Sequence, residues 1–437
     1  MLRWLCIFIL IAGFAPPTFA LSDGDLPSSH MAEGKDWWRD FTAQIDMSGF
    51  TETRVAVRLQ GDQFQKPFSL AETRFQFEAE RELGAATLNL TADVYFDAVS
   101  DQHEFGFDGD AHIFDLRQAT IEFSPLDFMD VKLGRQVLTW GTGDLLFIND
   151  LFPKDWRAFL LGRDDEYLKA PTQAMKASFY FDRLSLDVVY VPEFVTDRFV
   201  NGSRISYFDP KTGDLNGRPD VVTTIKPEGW LEKDELSLRL FGTFASVEVA
   251  AYYYDGYWKS PGGSDISLGV GTFPRLKVYG SSVRSAIWGG IGSAEIGYYD
   301  GQDRSSMAPF NRNDEVRFLA GYERDLGGDL TIAFQYNFER KLRSSALSTG
   351  ASEQRTHHVI TQRITKQLWQ QTFTFSLFNF YSPSGNDGHL RLKLSYKIND
   401  AVKLESGFNF FYGRTDETFF GQFQKASNVS AAMKVSF

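Results

Sequence analysis

Residues 330–339 read LTIAFQYNFE. Leu330, Ile332, Phe334, Tyr336 and Phe338 share one parity, and Thr331, Ala333, Gln335, Asn337 and Glu339 share the other. Successive side chains of an extended chain point to opposite faces. A period of two therefore marks a strand with one apolar and one polar face. Residues 429–437 (VSAAMKVSF) repeat the pattern, with Val429, Ala431, Met433, Val435 and Phe437 on the apolar side. So do Leu390, Leu392, Leu394 and Tyr396 against Arg391, Lys393, Ser395 and Lys397. Val402, Leu404, Phe408, Phe410 and Tyr412 likewise stand against Lys403, Glu405 and Asn409.

Working outward from these stretches, eighteen such segments can be marked: 41–60, 71–82, 85–98, 112–124, 128–138, 173–182, 184–192, 233–243, 245–256, 274–285, 288–300, 314–324, 330–341, 354–367, 369–381, 388–397, 402–413 and 427–437. Every second connection is tight, as at Leu83-Gly84, Arg183, Phe244, 325–329 and 398–401; the other nine are longer, 139–172 and 193–232 most of all. A sandwich has no reason to alternate loop lengths so regularly. A transmembrane barrel has one, because the turns on one side of the membrane are short and the loops on the other can grow. Backbone groups in hydrocarbon must all be paired, which a closed barrel achieves. The expected fold is thus an all-β transmembrane antiparallel barrel of about eighteen strands over 41–437. Its apolar sides face lipid and its polar sides a hydrated lumen. Inward charges would include Arg239, Glu248, Glu295, Glu339, Arg391, Lys393, Lys397, Lys403 and Glu405; a hydrated lumen explains mixed, unpaired charges at this density, and a sealed apolar tunnel does not. Tyr252, Tyr253, Tyr254, Tyr257, Trp258, Trp288, Tyr298, Tyr299, Trp369, Tyr381, Phe411 and Tyr412 cluster near segment ends and are candidates for the two interfacial girdles. The alternative is a secreted soluble β protein whose apolar face is its core.

Composition agrees. The 437 residues are 43% hydrophobic and 23% charged, and the mean hydropathy is −0.27. That is too polar for a bundle of membrane helices. The 41 Phe, 17 Tyr and 9 Trp are too much aromatic surface for a disordered chain. A net charge of −12 argues against nucleic-acid binding. Arg3, the apolar run Trp4–Phe14, and the exit through Pro16, Pro17 and Ala20 form a secretory signal peptide over 1–20. Cleavage near Ala20 removes the one cysteine, Cys6, so neither a disulfide nor a thiolate metal site is expected in the exported chain. Residues 21–40 read as a polar periplasmic lead-in ending near Trp37-Trp38. So short a lead-in leaves no room for the plug domain of an energy-coupled transporter.

The connection 139–172 is unusual. Leu145, Leu146, Phe147, Ile148, Leu151, Phe152, Trp156, Phe159, Leu160 and Leu161 are more apolar surface than a solvated loop carries. The economical site is the barrel interior, where the segment would narrow the bore as a constriction loop; a cap on neighbouring loops is the other arrangement. Asp144, Arg157, Arg163, Asp164, Asp165 and Glu166 would then line an eyelet with charges of both signs. The polar 193–232 connection reads as an exposed loop. Strict alternation places Arg135 with Met129, Val131 and Leu133, toward lipid. A bulge at Gly134 would return Arg135 to the lumen; otherwise it is a rim arginine.

Two motifs carry resemblances. Leu116-Arg117-Gln118-Ala119, then Leu133-Gly134-Arg135-Gln136 and Trp140-Gly141, form an LRQA…LGRQ…WG hairpin. It is similar to a family of poorly characterised proteobacterial outer-membrane barrels with a domain of unknown function, and less closely resembles the eighteen-stranded alginate-export barrels. The resemblance implies an outer-membrane barrel channel; it brings no substrate, because the inward charges are of both signs. The terminal strand ending on Phe437 looks like the signal that the barrel-assembly machinery of Gram-negative cells reads.

No catalytic motif is present: no G-x-S-x-G, H-E-x-x-H, P-loop or EF-hand loop. The histidines are His30, His103, His112, His357, His358 and His389. His357 and His358 point to opposite faces and cannot chelate together. No cofactor, metal, catalytic residue or nucleic-acid partner is expected. The function expected is passive diffusion of small solutes through a porin-like outer-membrane channel, with lipid, the assembly machinery and a small solute as partners. Barrels of this size occur as monomers and as homo-oligomers. A barrel for hydrophobic compounds and a non-conducting scaffold for a partner protein are the alternatives.

Overall fold

A computed structural model describes residues 45–101, 113–210, 212–265, 269–302, 312, 314–342 and 355–437. The expected leader, the lead-in with Trp37-Trp38, and His30, His103 and His112 lie outside these.

Eighteen strands form one closed sheet. They are β1 (Asp46–Arg58), β2 (Phe68–Leu83), β3 (Ala86–Asp97), β4 (Phe114–Leu126), β5 (Met129–Val137), β6 (Pro171–Tyr180), β7 (Leu184–Val191), β8 (Glu235–Phe244), β9 (Val247–Tyr257), β10 (Arg275–Ile287), β11 (Gly290–Gly301), β12 (Glu315–Asp325), β13 (Leu330–Lys341), β14 (Thr356–Leu368), β15 (Phe373–Ser382), β16 (Asp387–Lys397), β17 (Val402–Tyr412) and β18 (Asn428–Ser436). Each pairs antiparallel with its chain neighbours, and β1 pairs with β18 from Phe50↔Ser436 to Arg58↔Asn428, which closes the ring. Every expected segment is a strand of this barrel, with ends shifted by a few residues. Connection lengths alternate as expected, with one exception. The 383–386 link lies among the long loops yet has four residues, the same as the 326–329 turn.

Burial runs opposite to that of a soluble protein. On β13, Phe334 is 49% exposed and Asn337 3%. Val55, Phe75, Val94, Met175, Val283, Ile296, Phe318, Leu404 and Met433 are exposed, while Glu52, Arg54, Glu72, Arg74, Asp93, Glu315 and Glu405 are buried. An outer apolar band around an ionic interior is stable in lipid and not in water. This overturns the soluble alternative.

The interior is packed by loops, and that corrects the girdle reading. Trp288 and Trp369 stand exposed at turn tips, and Tyr298 faces outward. Tyr252, Tyr254, Tyr299 and Phe411 instead point inward and are buried; Trp258 packs with Ile148 and Tyr299, and Tyr257, at the end of β9, is covered by Phe194 and Phe273. Tyr299 donates to the Ile148 carbonyl at 2.5 Å, and Tyr254 to Glu235 at 2.6 Å. A period of two cannot tell an aromatic facing lipid from one facing a filled bore.

The 138–170 connection contains the one α-helix among the described residues, α1 (Trp156–Leu161). The Asp155 carboxylate caps it by accepting from the Ala158 amide at 2.8 Å. Gly162 ends it in the left-handed region at φ 89°. The buried stripe Phe159, Leu160 and Leu161 docks on Phe378, Phe380, Phe411, Phe420 and Phe423.

Candidate functional site

The segment 138–170 leaves β5, crosses the bore and returns to β6. Its first anchor is Glu295 on β11, which is 2% exposed. The Glu295 carboxylate accepts from the amides of Thr142, Gly143 (3.0 Å) and Asn149 (3.4 Å), and from the Asn149 side-chain amide (3.0 Å). Asn149 fits because β10 offers Gly280 there; a Cβ at that position would stand 1.7 Å from Asn149 Oδ1. Ile148 then enters a pocket formed by Tyr254, Trp258, Leu276, Val278, Tyr299 and Leu319.

Beyond this anchor, acids of the loop meet bases of the wall. Asp144 pairs with Arg363 at 2.6 Å. Arg363 lies on β14, nine strands from β5 in an eighteen-strand ring, so the contact spans the bore. Asp165 pairs with Arg391 on β16 at 2.5 Å, and Asp164 with Lys393. In the other sense, Arg163 on the loop donates to Glu72 on β2 at 2.5 Å. Glu166 offers its backbone carbonyl to Arg117 at 3.0 Å. Tyr167 is held between the guanidinium groups of Arg74 (4.2 Å) and Arg117 (4.7 Å). Burial pushes the Asp144 carboxyl above its ordinary value, with the Arg363 guanidinium opposing the rise.

A cavity of about 570 Å³ lies between loop and wall. Asp144, Arg163, Asp164, Asp165 and Glu166 line it from the loop; Arg54, Arg363, Arg391, Lys393 and Glu405 line it from the wall. Of the candidate residues, Arg135 and Arg157 are not among its lining. Arg157 lies on α1, with its amide bonded to the Arg198 carbonyl. Arg135 pairs in register with Ala119 and Gln173, and no residue is skipped at Gly134. The bulge lies instead in β4, at Arg117. Gly134 adopts φ 120°, and a Cβ there would meet the Ala119 carbonyl oxygen at 2.2 Å. The Arg135 guanidinium turns away from lipid: Nε donates to the Leu116 carbonyl, and Nη2 lies 4.0 Å from Asp115.

Two further readings are corrected. The 192–234 connection is not a free loop. Arg198 donates to Asp115 at 2.8 and 2.9 Å and to Asp155 at 3.2 Å. Arg204 donates to Asp97 at 2.6 Å. Asp197 accepts from the Lys154 amide (2.8 Å), the Trp156 indole (3.1 Å) and the Ser260 hydroxyl (2.7 Å), so three connections meet at one carboxylate. Burial raises the Asp197 carboxyl, against the Ser260 hydrogen bond. Nor are the inward charges unpaired. Arg239 meets Glu248 at 3.5 Å, Glu339 meets Arg317 at 3.8 Å, and Lys403 meets Glu405 at 2.7 Å. The carboxylates of Glu52, Asp164 and Glu405 are close enough to share a metal ion. Arg54 already holds two of them, with Glu52 at 2.9 Å and Glu405 at 2.8 Å, so their charge is met by side chains.

The sequence carried a signal for this interior: an acid and a base two residues apart on the polar parity. Glu52-x-Arg54, Glu72-x-Arg74, Glu315-x-Arg317 and Lys403-x-Glu405 are all ion pairs, at 2.7–2.9 Å.

No family model and no curated protein matches the chain. Solved structures do. OccK9 (OpdG) of Pseudomonas aeruginosa superimposes with a TM-score of 0.53 at 12% identity, over 91% of this chain and 98% of that one. The barrel has the porin fold. OccAB3 of Acinetobacter baumannii gives 0.52 at 11% identity, over 90% and 99% of the two chains. OccAB2 of the same organism gives 0.51 at 10%, over 90% and 98%. The porin fold thus extends over nearly the whole chain, while at these identities the side chains of the bore are this protein's own.

Proposed function

We propose that the chain is an outer-membrane channel for passive diffusion of small hydrophilic solutes, with 138–170 as its constriction. The observation that carries this is the ion pair between Asp144 and Arg363 at 2.6 Å, made by a loop that leaves the wall half a ring away. Such a loop divides the bore and leaves a cavity in which charged side chains of both signs stand beside Leu145, Phe147, Leu168, Phe378 and Leu392. The loop side, four acids against Arg163 and Lys169, and the wall side, four bases against Glu405, differ in net charge and set a field across the path, so polar solutes are sorted by size and dipole. Transport rather than catalysis is the role. The signal peptide over 1–20, recognition of Phe437 by the assembly machinery and homo-oligomer formation belong to the same proposal.

Transport of hydrophobic compounds is less well supported. Ile148, Phe152, Phe159, Leu160 and Leu161 are spent in packing against the wall and do not line a path. In planar bilayers the purified chain is expected to give ohmic steps, and deletion of 145–161 to enlarge them. Silence of the folded chain would reject the channel; an unchanged step after deletion would reject the constriction.

A further inference from the structure

The barrel closes where β18 returns to β1, and the terminal residue sits on that seam. The Gly49 amide donates to the Phe437 carbonyl at 3.1 Å, and the Phe437 amide to the Gly49 carbonyl at 3.0 Å. Both residues lie on the outward parity, Gly49 in line with Thr51, Thr53 and Val55, and Phe437 with Met433 and Val435. The aromatic ring does not stay on its own strand. It lies over Gly49, so that a Cβ there would stand 2.7 Å from Phe437 Cζ and 2.3 Å from the Gln76 carbonyl oxygen of β2. Beyond Gly49 it stacks on Phe75 of β2, with centroids 5.7 Å apart and planes 19° from parallel. One side chain therefore spans β18, β1 and β2, and it can do so only because position 49 has no side chain.

The ring is 63% exposed, so core burial does not explain where it lies. Among the described residues it lies over a bare backbone and against an aromatic face. Offset stacking on Phe75 is directional in a way that contact with lipid is not.

We propose that Gly49 and Phe75 form a seat on the first hairpin into which Phe437 moves when the barrel closes. The same aromatic cannot lie over Gly49 and remain in the groove of an assembly factor. Closure therefore competes with the machinery for the terminal residue, and occupation of the seat is the release step. The competition rests on Phe437 being the residue the machinery reads; the seat does not, and the test separates the two.

The seat is tested with the full-length chain folded into lipid vesicles without any assembly factor, with the folded fraction read from heat-modifiable migration. Phe75→Ala and Phe437→Ala are each expected to lower the folded-to-unfolded ratio by about two- to tenfold, the range of an aromatic pair. The double variant should lose little more than either single, since the two share one contact. Phe437→Tyr should restore the ratio. Gly49→Val should lose more, because it also meets the Gln76 carbonyl; Phe75→Ala keeps the test decisive if that variant does not fold. Losses that simply add, or no loss in Phe75→Ala, would overturn the seat. In cells, Phe75→Ala keeps the terminal aromatic and loses its destination, so crosslinks from position 437 to the assembly machinery should persist longer. Coupled losses in vesicles with unchanged crosslink lifetime would leave the seat standing and overturn the competition.

Discussion

Replacing Glu295 with alanine isolates the first anchor of the crossing segment. Its carboxylate accepts from the amides of Thr142, Gly143 and Asn149 and from the Asn149 side chain. A hydrogen bond to a charged acceptor contributes about 1.5–3 kcal/mol. Four such bonds do not add, because three donors are backbone groups that water in the bore can reach once the loop moves. A net loss of about 3 kcal/mol is the reasonable scale. At about 1.4 kcal/mol per decade, that lowers the ratio of docked to undocked loop roughly a hundredfold. Asp144–Arg363 and Asp165–Arg391 would remain, but partly exposed pairs contribute only about 0–1 kcal/mol each. The packing of α1 and the buried Arg163–Glu72 pair still hold the rest of the loop, so it is the 142–149 stretch that should leave the wall often enough to be seen. Single-channel recording at fixed salt and voltage is expected to show excursions to a larger level in Glu295→Ala that are rare in the parent. Glu295→Gln, which keeps the volume and one acceptor oxygen, should show the same excursions less often. A folded Glu295→Ala barrel with the parent's mean current and noise would refute the anchor.

Other outcomes follow from the same contacts. Gly134→Val forces a Cβ against the Ala119 carbonyl at a left-handed φ of 120°. It should cost at least about 2 kcal/mol and lower the temperature at which the compact band is lost on semi-native gels. Asp164→Asn with Asp165→Asn strips two negative charges from the cavity and leaves Arg391 and Lys393 exposed to solute, so the zero-current potential in a salt gradient should move toward anion selectivity. The Asp197 carboxyl is raised above its unfolded value by burial, so its contribution is complete below the unfolded value of about 3.9 and is lost as pH rises through the folded value. Protease nicking of the 192–234 segment should therefore increase across that window and should lose this dependence in Asp197→Asn.

The strands were legible because every one must show lipid an apolar side and the bore a polar one. Phe334 and Gln335 announce their faces without any tertiary knowledge. The inward course of 138–170 was suggested by its own Leu145–Ile148 and Phe159–Leu161 runs, which no solvated loop would carry. Its partners were not legible. Glu295 lies about 150 residues from the amides it holds, and Arg363 more than 200 from Asp144, so no local pattern joins them. Aromatics misled for a related reason: Tyr254 and Tyr299 look like girdle residues until the bore is known to be filled. Gly134 was marked as irregular, and it is, but the extra residue sits across the ladder at Arg117, where it frees that side chain to reach the loop. Arg198 and Arg204, in a polar stretch with many turn residues, gave no hint of the buried carboxylates they meet.

Spin labels placed one at a time from 333 to 338 of β13 in a cysteine-free background, in lipid vesicles, test the inside-out wall most directly. Labels at 334 and 336 should relax with oxygen dissolved in the bilayer, and labels at 333, 335 and 337 should not. Oxygen access at 333 and 337 with protection at 334, or no alternation along the strand, would contradict a barrel that turns its apolar face to lipid.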